Sequence, residues 1–185
     1  MIHIIYFSSD LHFGHDRSFI YAARGFSSID EMNIAIIHNF NSVVTCLDDL
    51  YLLGDIVMGN SAENIHLFQQ LKGKIHLVWG NHDTSNRQRI LAQQSNVVEV
   101  LGYADILTYE KQNFYLCHFP TSTSNFDEDK PLNRKLLCLA GHTHSTEKFD
   151  PCGSYNVAVD AHNCRPVSIE TVLYDFKERK KQYAE

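Results

Sequence analysis

The sequence predicts an α/β fold. Short apolar, β-rich runs alternate along the chain with helical patterns, and several of the runs are apolar throughout, as expected of strands covered on both faces. Length adds a third observation: 185 residues fill one hydrophobic core and hardly two. One domain spanning residues 1–185 is therefore expected.

Taken in order, the first strand is read at Ile2–Ser8. Met1 leads into it with no basic segment and no small-residue cleavage site, so it is not read as a signal peptide. A helix starts near Ser28, which forms a capping box with Glu31. Ile29, Met32, Ile36, Phe40 and Val43 then recur at three- and four-residue steps, giving one apolar face. Leu50–Leu53 is a strand, Ala62–Leu71 a helix ending before Gly73, Ile75–Trp79 a strand, and Asn86–Gln94 a helix. Strands follow at Ile106–Tyr109 and Phe114–Cys117. Thr121–Lys135 is polar and contains Pro131, and reads as a loop long enough to serve as a lid or a substrate contact. Strands at Leu136–Ala140 and Tyr155–Val159 precede a last helix over Ser168–Lys181. Its basic end (Lys177, Arg179, Lys180, Lys181) suits a helix C-terminus.

The formal charge is −6, from 16 basic and 22 acidic residues. That balance argues against a duplex DNA binder, whose affinity comes largely from phosphate neutralisation. It allows a phosphate substrate, because bound cations supply local positive charge. The five cysteines (Cys46, Cys117, Cys138, Cys152, Cys164) are odd in number and form no C-x-x-C. A disulfide framework is not expected, and a reducing cytoplasm is. No apolar run approaches the length of a membrane span.

The chemistry lies just after the strands. Ile2–Ser8 is followed by Asp10 and His12, Leu50–Leu53 by Gly54-Asp55, and Ile75–Trp79 by Gly80-Asn81-His82-Asp83. Phe114–Cys117 is followed by His118, and Leu136–Ala140 by Gly141-His142-Thr143-His144. In α/β sheets the C-terminal strand ends are where ligand sites form. The groups offered are imidazole, carboxylate and one amide, without thiolate. They suit Mn, Fe, Co, Ni or Zn better than a thiolate-bound structural zinc. They are too many for one ion and suffice for two if a carboxylate bridges. Each motif alone is an ordinary turn or surface pattern; it is their joint occurrence after apolar runs that points to a metal centre.

These motifs resemble the calcineurin-like metallophosphoesterase superfamily. Asp10-Leu11-His12-Phe13-Gly14-His15 and the stretch Gly25–Asn33 resemble a subgroup of small bacterial and phage phosphoesterases. The resemblance implies a four-layer αββα sandwich, two mixed sheets flanked by helices. It implies one metal held by Asp10, His12, His144 and bridging Asp55, and a second held by Asp55, Asn81, His118 and His142. Manganese comes first among the divalent ions expected. A hydroxide bridging the metals would attack phosphorus, His82 would face the leaving group, and Asp83 would orient His82. His15 is a candidate substrate contact or a satisfied loop histidine, and Arg24 a candidate phosphate clamp or a helix-adjacent surface arginine. The expected substrate is a small phosphate ester, a nucleotide among the candidates, with diesters favoured over monoesters. No membrane and no obligate protein partner are implied. A nuclease would need a basic groove, which the acidic balance argues against, though Arg87, Arg89, Lys130, Arg134 and Lys135 could form a local patch. A non-catalytic scaffold would be expected to lack the ligand positions or the His82-Asp83 pair, and here all are filled.

Overall fold

The computed structural model describes residues 3–123 and 130–182. Strands β1 (Ile5–Ser8), β2 (Asp49–Leu53), β3 (Lys74–Val78), β4 (Val97–Gly102) and β9 (Val167–Ser168) form one sheet in the order β4-β3-β2-β1-β9. Strands β5 (Ala104–Tyr109), β6 (Gln112–Cys117), β7 (Leu136–Ala140) and β8 (Tyr155–Asn156) form the other in the order β5-β6-β7-β8. Both sheets are mixed. β1, β2, β3 and β4 run parallel and β9 antiparallel to β1. β6, β7 and β8 run parallel and β5 antiparallel to β6. The C-terminal ends of β1, β2 and β3 therefore share one edge of their sheet, and those of β6 and β7 one edge of theirs.

Side-chain alternation makes the layers. Tyr6, Leu50, Leu52, Ile75 and Leu77 pack with Met32, Ile36 and Phe40 of helix α2 (Ile29–Asn41), Phe68 of α3 (Ser61–Phe68) and Leu91 of α4 (Ser85–Ala92). Their neighbours Phe7, Tyr51, Leu53 and Val78 face the other way. They meet Phe114, Leu116, Leu137 and Leu139 of the second sheet, with the Phe7 and Phe114 rings 6.5 Å apart. Helix α5 (Ile169–Gln182) adds Val172 and Phe176 to this inter-sheet layer. Phe7 and Phe114 are wholly buried, and each contributes roughly 3 kcal/mol relative to an exposed ring. Phe7→Ala would cost about 3–5 kcal/mol, because the gap between two sheets cannot close around it. Among the described residues no helix is long and apolar enough to cross a membrane.

The observed elements differ from the expected ones in informative places. Ile2 of the expected first strand lies outside the described residues, and pairing begins at Ile5. The capping box is split: the Ser28 hydroxyl accepts from the Glu31 amide, but the Glu31 carboxylate accepts from the amide and hydroxyl of Ser27. Val43 lies beyond the end of α2. Strand β4 was not expected, and neither was β9, whose two residues are too few for a pattern. A short helix, α1 (Ser18–Tyr21), was also missed. The expected strand Tyr155–Val159 pairs only at Tyr155–Asn156, and Val159–His162 turns into a 3₁₀ segment. Within Thr121–Lys135, residues 124–129 lie outside the described residues, and Leu132–Arg134 is a 3₁₀ turn.

Candidate metal centre

The strand-end loops converge. The β1 loop is stitched to the β2 loop through Asp10 N to Gly54 O and His12 N to Asp55 O, both 3.0 Å. The β6 and β7 loops join through Gly141 N to His118 O, also 3.0 Å. Asp10 Oδ2 then bridges the two sheets, accepting from Ser9 Oγ at 2.6 Å and from the His142 amide at 2.9 Å. Its other oxygen, Oδ1, is fully buried without a partner, and so is His12 Nε2. The two atoms lie 3.8 Å apart, and His144 Nε2 is 3.7 Å from the same Oδ1. Lone pairs that face one another at such distances, out of water and without a proton between them, fit a cation.

Asp55 Oδ2 is 3.7 Å from His12 Nε2 on one side and 3.5 Å from His118 Nε2 on the other. It lies between two clusters of ligand atoms, where a bridging carboxylate would be. Asp55 Oδ1 accepts the His82 amide at 2.9 Å, which fixes the rotation of the carboxylate. In the second cluster, His118 Nδ1 lies 2.8 Å from the Leu53 carbonyl. A carbonyl only accepts, so Nδ1 donates to it and Nε2 is the nitrogen turned towards the centre. That Nε2 is 2.9 Å from Asn81 Oδ1, and His142 Nδ1 is 3.0 Å from the same oxygen. The seven residues lie at one centre: ligand atoms of Asp10, His12 and His144 form one group and those of Asp10, Asp55 and His118 another, with Asn81 against His118 and His142.

Local backbone is bent to make this arrangement. Asp10, His12, Asp55, His142 and His144 all have φ between 51° and 72°. The left-handed region costs a side-chain-bearing residue roughly 1–3 kcal/mol and is tolerated where the surroundings impose it. The glycines of these motifs serve proximity as well as turning. A Cβ on Gly141 would overlap Ser9 Oγ and Asp10 Oδ2, and one on Gly80 would overlap Asp55 Oδ1.

The groups of the site are shifted in both directions, with Asp55 raising His118 against its burial and Asp160 raising His144. Burial opposes the charge on Asp10, yet the His12 imidazole beside it, the nearby His118 and the Ser9 hydroxyl hold its carboxyl below the ordinary range. Asp55 is lowered in the same way, burial being outweighed by His118 and the His82 amide. Burial pushes His12 down, towards the neutral ring that ligation requires. His15 packs on His12 with the two Nδ1 atoms 3.0 Å apart. Burial, and His12 next to it, lower His15 to about 4, so its ring is neutral near pH 7. Only one Nδ1 of that pair can hold the proton. His12 donating to His15 leaves His12 Nε2 free for a metal.

Two residues stand elsewhere than the sequence suggested. Asp83 is buried, and its oxygens accept the amides of Gly80 (2.8 Å), Asp55 (2.9 Å) and Ile56 (3.4 Å). It braces the β3 loop against the β2 loop and makes none of these bonds to the His82 ring. Arg24 is no free phosphate clamp. Its side chain is 2% exposed and forks onto Asp160, Nε to Oδ1 and Nη2 to Oδ2, both 2.9 Å. A buried guanidinium paired this way cannot turn outward without stranding Asp160. Ser9 and Asp160 were missed by sequence reasoning; neither sits in a recognisable motif, and Asp160 meets its partners across 136 and 16 residues. Cys117 packs with Cys138 and Ala140 on the side of β6 opposite Phe114 and Leu116, as strand alternation required.

Known proteins resemble the chain closely enough to classify it. The profile of the calcineurin-like phosphoesterase superfamily domain matches residues 4–158. An uncharacterised protein of Methanocaldococcus jannaschii is 32% identical over 179 residues, covering 91% of this chain and 89% of that protein. The gene 66 protein of Mycobacterium phage L5 is 26% identical over 169 residues, covering 76% of this chain and 77% of that protein. Among solved structures, a protein of unknown function from Aquifex aeolicus superposes with a TM-score of 0.70 at 23% identity. It covers 92% of this chain and 98% of that one, a likeness that shows the fold.

Proposed function

The chain belongs to the calcineurin-like phosphoesterase superfamily and is a metal-dependent phosphoester hydrolase; from that premise we propose that it cleaves phosphodiesters at a dinuclear centre held by Asp10, His12, Asp55, Asn81, His118, His142 and His144. One observation carries the reading. Asp10 Oδ1 and His12 Nε2 are buried without partners, and Asp55 Oδ2 lies 3.7 Å and 3.5 Å from imidazoles of two different clusters. Two divalent ions, manganese first among them, would polarise the phosphoryl group there and activate a water as nucleophile. The protein's own groups do the rest. His82 projects at the open side, half exposed, with Nε2 4.0 Å from Asp55 Oδ2 and its backbone tied to Asp55 Oδ1. From there its ring can give a proton to the departing ester oxygen. Asp83 keeps the His82 loop in register with Asp55.

Diesters are favoured over monoesters by charge. A phosphomonoester dianion calls for an additional cation near the metals. Arg24, 3.4 Å from His144 Nδ1, is already neutralised by Asp160. The test is a chelated and reconstituted protein assayed on bis-nitrophenyl and mono-nitrophenyl phosphate. Activity should vanish on chelation, return with manganese, and show a higher kcat/KM on the diester. Activity that survives complete metal removal would sink the dinuclear reading, and a higher kcat/KM on the monoester would sink the diesterase assignment.

A further inference from the structure

We propose that Asp160 is a positioning residue for the first metal site, setting the tautomer of His144, and that Arg24 holds it in that role. The inference rests on the dinuclear reading above and goes beyond its ligands. Asp160 sits on the 3₁₀ segment Val159–His162, which follows Ala158, the bridge partner of Ser9 in the β1 loop. The Val159 amide donates to the Ser9 carbonyl at 3.2 Å, so this segment is fixed to the loop that carries Asp10.

Asp160 Oδ2 lies 3.2 Å from His144 Nδ1. A buried carboxylate there accepts a hydrogen bond from Nδ1–H and leaves the lone pair on Nε2, which faces the unpartnered Asp10 Oδ1 at 3.7 Å. Without Asp160, either tautomer would be open to the ring, and one of them turns an N–H towards the ion. Arg24 completes the device. It grips both Asp160 oxygens, and its Nη2 also donates to the Asp10 carbonyl at 2.8 Å. One guanidinium thus links the orienting carboxylate to the backbone of a ligand held at φ 57°. In the second cluster the partners are of another kind. His118 is oriented by a main-chain carbonyl and His142 lies against Asn81. The effect of losing Asp160 should therefore fall on one ion and spare the other.

The experiment is calorimetric titration of metal-free protein with Mn²⁺, comparing wild type, Asp160→Ala and Asp160→Asn. Wild type should bind two ions. Asp160→Ala should weaken one step by about 10–100-fold, the usual effect of removing a partner of a ligating histidine. The other step should stay within about threefold. Asp160→Asn should fall between, because its amide oxygen still accepts from Nδ1 while one arm of Arg24 loses its acceptor. ¹⁵N-histidine NMR of the metal-free proteins at pH 9, where imidazoles are neutral, reads the tautomer directly. Wild type and Asp160→Asn should show His144 protonated at Nδ1, and Asp160→Ala should gain the Nε2–H form. Two unchanged binding steps, two equally weakened steps, or a tautomer indifferent to Asp160 would overturn the inference while leaving the dinuclear reading intact. Wild type binding fewer than two ions would overturn both. Should Asp160→Ala fold poorly, the isosteric Asp160→Asn still decides: a tautomer other than Nδ1–H in wild type, or no weakening of either step in this variant, rejects the proposal.

Discussion

Asp10 carries the most conflicted position in the molecule. Its φ is 57°, its carboxylate is buried, and one of its oxygens has no partner. Asparagine tolerates the left-handed region and keeps the shape, but it removes a charge that His118, the Ser9 hydroxyl and the His142 amide favour. Asp10→Asn should therefore lower the melting temperature of the metal-free protein by about 2–4 °C, roughly 1 kcal/mol at this size, while abolishing tight binding of the first ion. Scanning calorimetry with and without metal checks both halves; a raised metal-free melting temperature would show that burying the charge costs more than its neighbours return. His82 stands in the opposite situation, half exposed and not needed as a ligand. His82→Ala should keep both ions and lose about 10²–10⁴-fold in kcat on alkyl esters. The loss should be smaller on nitrophenyl esters, whose leaving group needs little protonation. Loss of an ion would make His82 a ligand, and equal losses on both esters would make it a positioning group. The side chains gathered at the strand ends were legible in the sequence because each is a polar residue placed within a few residues of an apolar run. The left-handed backbone at five of them was not, since the positions are Asp and His where glycine would have given the conformation away. Arg24 was neither the clamp nor the surface arginine weighed for it, because nothing local separates a buried, paired arginine from a free one.

At the scale of elements, the loops after β2 and β3 behave as one unit with Asp83 as its pin. Asp83→Ala would leave the buried amides of Gly80, Asp55 and Ile56 without their acceptor. A cost of about 3 kcal/mol follows, or a fall of about 6–12 °C in melting temperature. The bridging Asp55 would shift with it, so both ions should weaken together. A variant with wild-type stability and impaired turnover alone would restore Asp83 to a role at the His82 ring. Gly141→Ala should be similarly damaging, because its Cβ would occupy the space of Ser9 Oγ and Asp10 Oδ2. The buried strands were readable from continuous hydrophobicity. Strand β4 was not, because Val98 and Val100 are exposed on this edge strand and the Val-Val-Glu-Val run has no buried face to betray it. Helix α2 was readable from its start; the partner of Glu31 moved by one residue to Ser27, and Val43 fell beyond the last turn.

Across the whole molecule, the two sheets meet at an apolar layer and again at the metal centre. Asp10, His12, Asp55 and Asn81 come from the first sheet, and His118, His142 and His144 from the second. Ions held between them should act as fasteners. At a hundred times its dissociation constant, each adds about 2.7 kcal/mol, so chelation should lower the melting temperature by more than about 10 °C. A melting temperature that does not move on chelation would mean that the ions do not join the sheets. The division of ligands between sheets also has a consequence for biogenesis. Each proposed ion needs histidines from β6 or β7 as well as groups from β1 to β3, and the first needs His144. A ribosome making this chain delivers Asp10 and His12 more than a hundred residues before His144. Neither ion can be captured in its final coordination by the emerging N-terminal half, so metal loading must be among the last events in the protein's maturation, after the second sheet has docked.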